Sequence, residues 1–266
     1  ILNGVMKMLK EKMNLTGKKG LIIGIANDAS IAYGCARAIN ELGCTEIIVT
    51  YQNQKAYKYV KEACDKLNLN DLVEFNYVEE RDIESLFAYV GQKFGKIDFV
   101  IHAIAFANAE SLHGKVVDCS WDGFAQSIQI SCFSLIACSR HAKKIMNNGG
   151  SIITMTYIGA DKVISEYGVM GPVKACLEST VRYLASELAE DNIRVFAISP
   201  GPIHTRAASG IANFDRIANR AIEVSPMKRL VEISEVGDLS AYLISDMASG
   251  MTGQVVYVDG GYFLVA

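Results

Sequence analysis

Hydrophobic positions change their spacing repeatedly after Lys18, from short apolar runs typical of buried strands to longer stretches with helical periodicity. The apolar runs predict seven strands, at Gly20–Ala26, Glu46–Tyr51, Val73–Tyr77, Asp98–Ala103, Ser151–Tyr157, Ile193–Ser199 and Gln254–Asp259. The helical stretches are Ile31–Leu42, Gln54–Leu67, Ile83–Phe94, Trp121–Met146, Tyr167–Leu188, Asp215–Glu223 and Ser234–Ser245. Alternating strands and helices predict an α/β fold, a single doubly wound parallel sheet of about seven strands with helices on both faces.

Length and composition favour one globular domain. The chain has 266 residues, of which half are hydrophobic, and α/β folds of this size commonly form a single core. We assign residues 15–266 to this domain and residues 1–14 to a leader-like or tag-like extension outside the core. The net charge of −3 and the scattered basic residues disfavour nucleic acid or an anionic membrane as a partner. No apolar stretch is long enough to cross a bilayer, so we expect a soluble protein that binds a small or protein-borne substrate.

The cysteines and histidines indicate the compartment and argue against a metal site. The seven cysteines are odd in number, show no Cys-x-x-Cys spacing and mostly fall inside apolar segments. Reduced core thiols in the cytoplasm or an organelle matrix are therefore expected. The four histidines are too dispersed along the sequence to indicate a metal site.

The turn after the first predicted strand is a candidate phosphate site. Gly24 would permit close approach of a ligand to the backbone, and Ser30 is placed to cap the next helix. The free amides at a helix start attract a pyrophosphate. The pattern Gly-x-Gly-x-x-Gly is absent, however, so an ordinary strand-to-helix turn is an equal alternative.

Residues at the ends of the second and fourth predicted strands indicate which dinucleotide cofactor the protein binds and where it lies. Gln52 stands where a dinucleotide fold places the group that contacts the adenosine ribose. Its amide can bind a free hydroxyl, and no arginine lies beside it to receive a 2′-phosphate. NADH is therefore favoured over NADPH, although Lys55 moderates that preference. The small residues of 103–107 would let a cofactor lie against the fourth strand's end, although a merely well-packed loop is as good an alternative.

Tyr167 and Lys174 are the candidate catalytic pair. They are seven residues apart, which predicts two helical turns and nearly the same face. A lysine so placed can bind the nicotinamide ribose, and its charge favours anionic character on a tyrosine or on an enolate. Taken alone, the spacing is also compatible with two unrelated surface residues.

Six segments resemble the signature segments of bacterial-type enoyl-acyl carrier protein reductases, a divergent branch of the short-chain dehydrogenase/reductase family. They are Ser30–Gly34, Thr50–Asn53, Thr156–Ala160, Tyr167–Gly171, Gly201–Ile203 and Ala207–Ile211, and they recur in the family's order from about Leu15 to the end. Ordinary short-chain dehydrogenases use Tyr-x-x-x-Lys, but the residue four positions after Tyr167 is Gly171. The longer Tyr-x6-Lys spacing is the enoyl reductase variant.

This resemblance implies a Rossmann-type fold that reduces the trans-2 double bond of a fatty acyl thioester with NADH. By analogy, Tyr167 hydrogen-bonds the thioester oxygen as enolate charge develops, Lys174 holds the cofactor ribose, and Tyr157 walls the acyl pocket. The proton reaches the α-carbon from Tyr167 or from water. The implied cofactor contacts are Gly24, Ser30, Ile31, Gln52, Val78, Ile104, Lys174, Ile203 and Thr205, with Ala107 near the substrate. The resemblance further implies a substrate loop at about 205–224, an acyl carrier protein partner and a homotetramer.

Several positions depart from the family pattern. Tyr77 stands where an aspartate usually holds the adenine amine, and Arg206 stands where leucine is usual. Residues expected to meet the acidic carrier protein are replaced by Ala212 and Asp215, with only Arg216 basic. We therefore expect weak carrier docking.

Two alternatives stay open from the sequence. One is a short-chain carbonyl reductase in which Thr154 replaces the usual serine and acts with Tyr167 and Lys174. The other is a cofactor-binding paralogue that has lost or altered the activity, because a fold does not fix a function.

Overall fold

A computed structural model describes residues 10–146, 149–211 and 213–266. The seven predicted strands are all present within these ranges. They are β1 (Lys19–Ile23), β2 (Glu46–Tyr51), β3 (Asp71–Glu74), β4 (Phe99–His102), β5 (Gly150–Met155), β6 (Ile193–Pro200) and β7 (Val255–Val258). Most end before the apolar runs do, because the chain turns at the strand ends to form loops.

The helices also follow the predicted pattern, with two differences. They are α1 (Ile31–Glu41), α2 (Gln54–Asp65), α3 (Glu80–Phe94), α4 (Ala109–His113), α5 (Trp121–Ile128), α6 (Ser134–Ala142), α7 (Met170–Leu188), α8 (Phe214–Val224) and α9 (Ile233–Ile244). The short helix α4 was not predicted. The helix predicted at Trp121–Met146 is interrupted by a π-helical segment, Gln129–Phe133.

The strands form one parallel sheet in the order β3-β2-β1-β4-β5-β6-β7. The order reverses between β1 and β4, which is where open α/β sheets bind ligands, beyond the carboxyl ends of their strands. The predicted fold class is confirmed.

Two apolar cores cover the sheet, one on each face. Successive strand residues alternate between them, since Ile22 packs into one core while Leu21 and Ile23 pack into the other. Helices α1, α2 and α9 cover the first face, and α3, α6 and α7 cover the second. Burial on both faces is the reason that the strands are nearly continuous apolar runs in the sequence.

Leu15 is fully buried, and its N–H donates to the carbonyl of Leu42 at 2.9 Å. Leu15 is thus the first core residue in the described part of the chain. The prediction that residues 1–14 lie outside the core falls mostly on residues that the structure does not describe. None of the described helices is long and apolar enough to span a bilayer.

Candidate active site

A cavity of about 600 Å³ opens at the carboxyl ends of the strands. Its lining comes mainly from the turns after each of the strands β1 to β6, including Phe75, Asn76 and Tyr77 after β3, and from the 205–217 segment. The lining is mainly apolar, with a few polar groups, and the volume is typical of a site for a small-molecule ligand.

Gly24 makes the first turn of this cavity possible. Its φ is +115°, and a Cβ there would lie 2.2 Å from the carbonyl oxygen of Ala103. Only glycine therefore lets the end of β1 approach the end of β4 so closely. This approach brings the phosphate-site candidates of the first turn beside the segment that follows β4.

Ser30 directly precedes α1, as predicted, but its side chain does not cap the helix. Its Oγ instead accepts hydrogen bonds from the amides of Ala26 and Asn27, both at 3.0 Å. The predicted capping bond is wrong, because these nearer amides of the same turn compete for the hydroxyl. The amides of Tyr33 and Gly34 donate to the carbonyl of Ser30. The amides of Ile31 and Ala32, at the start of α1, have no hydrogen-bond partner among the described residues and are available to an anion.

Tyr167 lies outside α7, which begins at Met170, so the predicted two-turn arrangement on one helix face is wrong. Gly168 has φ +48°, and a Cβ there would lie 2.4 Å from the carbonyl oxygen of Leu112. The N–H of Val169 donates to Ser111 O at 3.3 Å. A tight turn seated against the α4 region therefore places the tyrosine.

Tyr157 and Tyr167 both line the cavity, with ring centroids 4.9 Å apart in an edge-to-face arrangement. Burial raises the pKa of the Tyr167 phenol, and the carboxylate of Glu178 raises it further. Burial likewise raises the pKa of Tyr157, with smaller contributions from Tyr262 and Tyr167. Both phenols are therefore protonated at neutral pH and can donate hydrogen bonds.

Lys174 also lines the cavity, although its side chain is only 5% exposed. Its Nζ donates to the carbonyl of Met155 at 2.7 Å. Burial lowers the pKa of Lys174 to about 8, opposed by Cys132 and Glu178. The ammonium is thus retained at pH 7 but lies close to its titration range.

Thr154, the hydroxyl of the carbonyl reductase alternative, is not among the lining residues of the cavity. It is 1% exposed, and its Oγ1 lies 2.9 Å from Nδ1 of His102 and donates to the carbonyl of His102 at 3.1 Å. The Nε2 of His102 lies 2.7 Å from Ser134 Oγ, and burial followed by the charge of Lys174 lowers the pKa of His102 to about 3. Thr154 thus belongs to a buried neutral network, which disfavours that alternative.

The cavity brings together all but one of the predicted site residues. Those in the lining are Gly24, Ser30, Ile31, Gln52, Ile104, Ala107, Tyr157, Tyr167, Lys174, Ile203 and Thr205. Val78 is not among them; its side chain is 61% exposed, its N–H donates to Asp82 and its carbonyl accepts from Gln129. A cofactor contact from Val78 therefore has no support in the cavity geometry and stays a prediction.

The predicted substrate loop forms one wall of the cavity. It contains a 3₁₀ turn at Ala208–Gly210 and the helix α8, and Ile211, Phe214 and Ile217 line the cavity. Arg206 also lines it, a contact that the sequence does not predict, since there the residue stands out only as a departure from the family pattern. Ala212 falls outside the described residues.

The ribose end of the cavity is suited to NADH. Gln52 lines the cavity directly after β2. Tyr51 pairs in register with Glu74 on β3, and the Glu74 carboxylate accepts from Gln54 Nε2 at 2.6 Å. A carboxylate beside this strand end would repel a 2′-phosphate. A glycine turn, an open helix start and a buried lysine together fit a dinucleotide.

No metal centre is indicated within the described ranges, because no group of three or more His, Cys, Asp or Glu residues there could hold one ion.

The chain is similar to known enoyl reductases over nearly its whole length. The family model described as enoyl-(acyl carrier protein) reductase matches residues 24–263. Enoyl-acyl-carrier-protein reductase (NADH) 1 of Rhizobium meliloti is 45% identical over 251 residues, covering 94% of this chain and 92% of that protein.

Comparison with solved structures indicates the same family. The enoyl-(acyl-carrier-protein) reductase of Anaplasma phagocytophilum in complex with NAD is 39% identical with a TM-score of 0.89, covering 95% of each chain. The Bacillus cereus enoyl-acyl carrier protein reductase with NADP+ and indole naphthyridinone is 40% identical with a TM-score of 0.90, covering 95% of this chain and 98% of that one. The chain belongs to the enoyl-(acyl carrier protein) reductase family.

Proposed function

We propose that this protein reduces the trans-2 double bond of an enoyl-acyl carrier protein with NADH, a step of fatty acid elongation. The observation that carries the proposal is the convergence of Tyr157, Tyr167 and Lys174 in one largely apolar cavity at the sheet's switch point. Family membership over residues 24–263 supports the same activity.

When bound, NADH supplies the hydride that adds to the β-carbon of the substrate. Tyr167 donates a hydrogen bond to the thioester oxygen, and this bond strengthens as enolate charge develops there. Its raised pKa keeps it protonated for that role. The proton that the α-carbon receives comes from Tyr167 or from water.

Lys174 holds the cofactor ribose through its ammonium. That ammonium donates to the carbonyl of Met155, which fixes its position at the end of β5. Its charge also stabilises the developing enolate. Tyr157 and Ala107 form part of the wall against which the acyl chain lies.

The positions of further residues in the cavity lining support the remaining cofactor contacts. Gly24, Ser30 and Ile31 surround the start of α1, where a diphosphate is favoured. Gln52 bonds the free 2′-hydroxyl of the adenosine ribose, which makes NADH the preferred cofactor and NADPH the weaker one. Ile104, Ile203 and Thr205 complete the dinucleotide site, while Val78 stays a prediction from resemblance.

We further propose that the protein forms a homotetramer and docks its carrier protein weakly. We also propose that it is located in the cytoplasm or an organelle matrix. Exposed apolar side chains support association, since Trp121 is 76%, Val117 86% and Tyr183 70% exposed in the single chain. All seven cysteines are free, which supports a reducing compartment. The acidic Asp215 on the substrate loop supports weak docking.

The decisive assay measures NADH oxidation with a crotonyl thioester and, separately, with simple ketones. We expect turnover with the thioester alone. Tyr167→Phe should lower kcat on the order of a hundredfold, as loss of one oxyanion donor does, with NADH affinity nearly unchanged. Lys174→Ala should instead weaken NADH binding.

Other results of this assay would support the two alternative functions, a carbonyl reductase or a non-catalytic relative. Turnover of ketones but not of the thioester would establish a carbonyl reductase. Tight NADH binding with no turnover of either substrate, in the wild type as in Tyr167→Phe, would establish a non-catalytic relative. Full activity in Tyr167→Phe would disprove the oxyanion role.

A further inference from the structure

Arg206 is a charged cavity residue that the proposed reaction does not use. Among the residues that the structure describes, the lining contains two basic side chains, those of Lys174 and Arg206, and no acidic one. The cavity therefore carries a positive charge without an internal counter-ion. Such a site favours a ligand that brings negative charge.

The two basic groups differ in their bonding. Lys174 is buried and donates to the carbonyl of Met155. The guanidinium of Arg206 makes no hydrogen bond or ion pair with any described residue, and only its carbonyl is engaged, by Ser209 Oγ at 2.7 Å. Its five N–H donors are therefore available to a ligand.

The backbone that carries Arg206 is ordered by local hydrogen bonds. Thr205 Oγ1 accepts from the amide of Ala208 at 3.0 Å, and Thr205 O accepts from the amide of Ser209 at 3.1 Å. These bonds fix the backbone of the turn, and the exposed side chain of Arg206 lines the cavity from it. The same lining includes Ser30 and Ile31 at the start of α1, where an anion is also favoured.

We propose that Arg206 binds a phosphate group of a ligand in this cavity. The phosphate belongs either to the diphosphate of the dinucleotide or to the phosphopantetheine arm that carries the acyl thioester. A guanidinium can donate hydrogen bonds to two phosphate oxygens at once, which a leucine at this position could not do. This inference rests on the proposed function, because both phosphates belong to its ligands.

The first test measures NADH binding to the free enzyme by fluorescence titration, which needs no turnover. The variants are Arg206→Leu and Arg206→Lys. Arg220→Leu is the matched control, because Arg220 is, like Arg206, an exposed arginine of the same loop segment, but it pairs with Glu223 at 3.0 Å and is absent from the lining. If the phosphate is the dinucleotide's, Arg206→Leu raises the Kd for NADH about tenfold. Arg206→Lys then has a smaller effect and Arg220→Leu almost none.

The second test compares two substrates that differ by a single phosphate, crotonyl-pantetheine and crotonyl-phosphopantetheine. If the phosphate is that of the pantetheine arm, the wild type has the lower KM for the phosphorylated thioester. Arg206→Leu abolishes that preference while the Kd for NADH stays unchanged.

The proposal is overturned if Arg206→Leu changes neither the Kd for NADH nor the preference between the two thioesters. It is equally overturned if Arg220→Leu matches its effects, since the guanidinium would then act only through long-range charge. Failure of the proposed function has a different result, namely no NADH oxidation with any enoyl thioester. The binding titration would still report on Arg206 in that case.

Discussion

At the scale of single residues, the candidate site contains two groups, Tyr167 and Lys174, whose pKa values are shifted by burial. Loss of hydration disfavours the charged form of each. Tyr167 therefore remains a neutral donor, whereas the pKa of Lys174 falls to about 8. Of the two, Lys174 is the group that titrates near physiological pH.

We expect kcat/KM for NADH to fall as pH rises through about 8 in the free enzyme. The folded-state pKa of Lys174 lies below its ordinary value, so the ammonium is present below about pH 8 and is lost above it. A neutral amine holds the cofactor ribose less well, and kcat/KM reports groups of the free enzyme. The measurement is the pH profile of kcat/KM, together with the Kd for NADH.

Lys174→Arg is the control, because a guanidinium stays charged throughout this range. Its profile should stay flat above pH 8 even if its absolute rate is lower. A fall at the same pH in Lys174→Arg would assign the titration to another group.

At the scale of elements, glycine permits the closest helix contact on the first face of the sheet. A Cβ on Gly34 of α1 would lie 2.3 Å from the carbonyl oxygen of Ile233, and a Cβ on Gly237 of α9 would lie 2.2 Å from that of Gly34. The backbones of α1 and α9 therefore touch without intervening side chains. This contact sets the position of α1, whose amino-terminal end is the proposed phosphate site.

Gly237→Ala should destabilise the fold by about 1–3 kcal/mol, because the added methyl group forces the two helices apart. The Kd for NADH should rise as well, since the start of α1 shifts. Gly91→Ala on α3 is the matched control, because its Cβ would meet only Ile145 Cγ2, at an ordinary 3.4 Å. Alanine's better helix propensity should make that variant neutral or slightly more stable.

Urea unfolding gives the stability and fluorescence titration gives the Kd. A Gly237→Ala protein as stable as Gly91→Ala would show that the helix contact tolerates a side chain.

At the scale of the whole molecule, charge governs how the substrate arrives. The chain has a net charge of −3, and its substrate loop contains Asp215 beside Arg216. Electrostatic steering toward an acidic carrier protein requires a basic surface. The described part of this loop offers only a mixed one.

We therefore expect crotonyl-acyl carrier protein to gain less than about tenfold in kcat/KM over crotonyl-pantetheine, with little dependence on salt. Asp215→Lys should improve kcat/KM for the carrier-linked substrate at low salt and leave the short thioester unaffected. Steady-state kinetics at two ionic strengths measure both effects. A large, salt-sensitive gain in the wild type would contradict weak docking.

The sequence alone determined the fold class and most of the candidate site. A sheet buried on both faces needs continuous apolar strands, and this requirement is visible without coordinates. Candidate ligand-binding residues such as Gly24, Gln52 and Ile104 lie within two residues of the ends of those strands, so their place at the carboxyl edge follows from strand order alone. The spacing of Tyr167 and Lys174 indicated a family, but not the geometry that joins them.

Only the tertiary structure decided contacts between residues distant in the sequence. Tyr167 is positioned by a turn that packs on Ser111, and Thr154, which is bonded to His102, is absent from the cavity lining. Arg206 is a ligand-binding candidate only because the loop that carries it lines the cavity. The hydrophobic periodicity of a segment indicates which face of a helix or strand is buried, because the pattern repeats every few residues. It does not predict which side chain from a distant part of the sequence lines the cavity, because that depends on how the whole sheet and its loops pack.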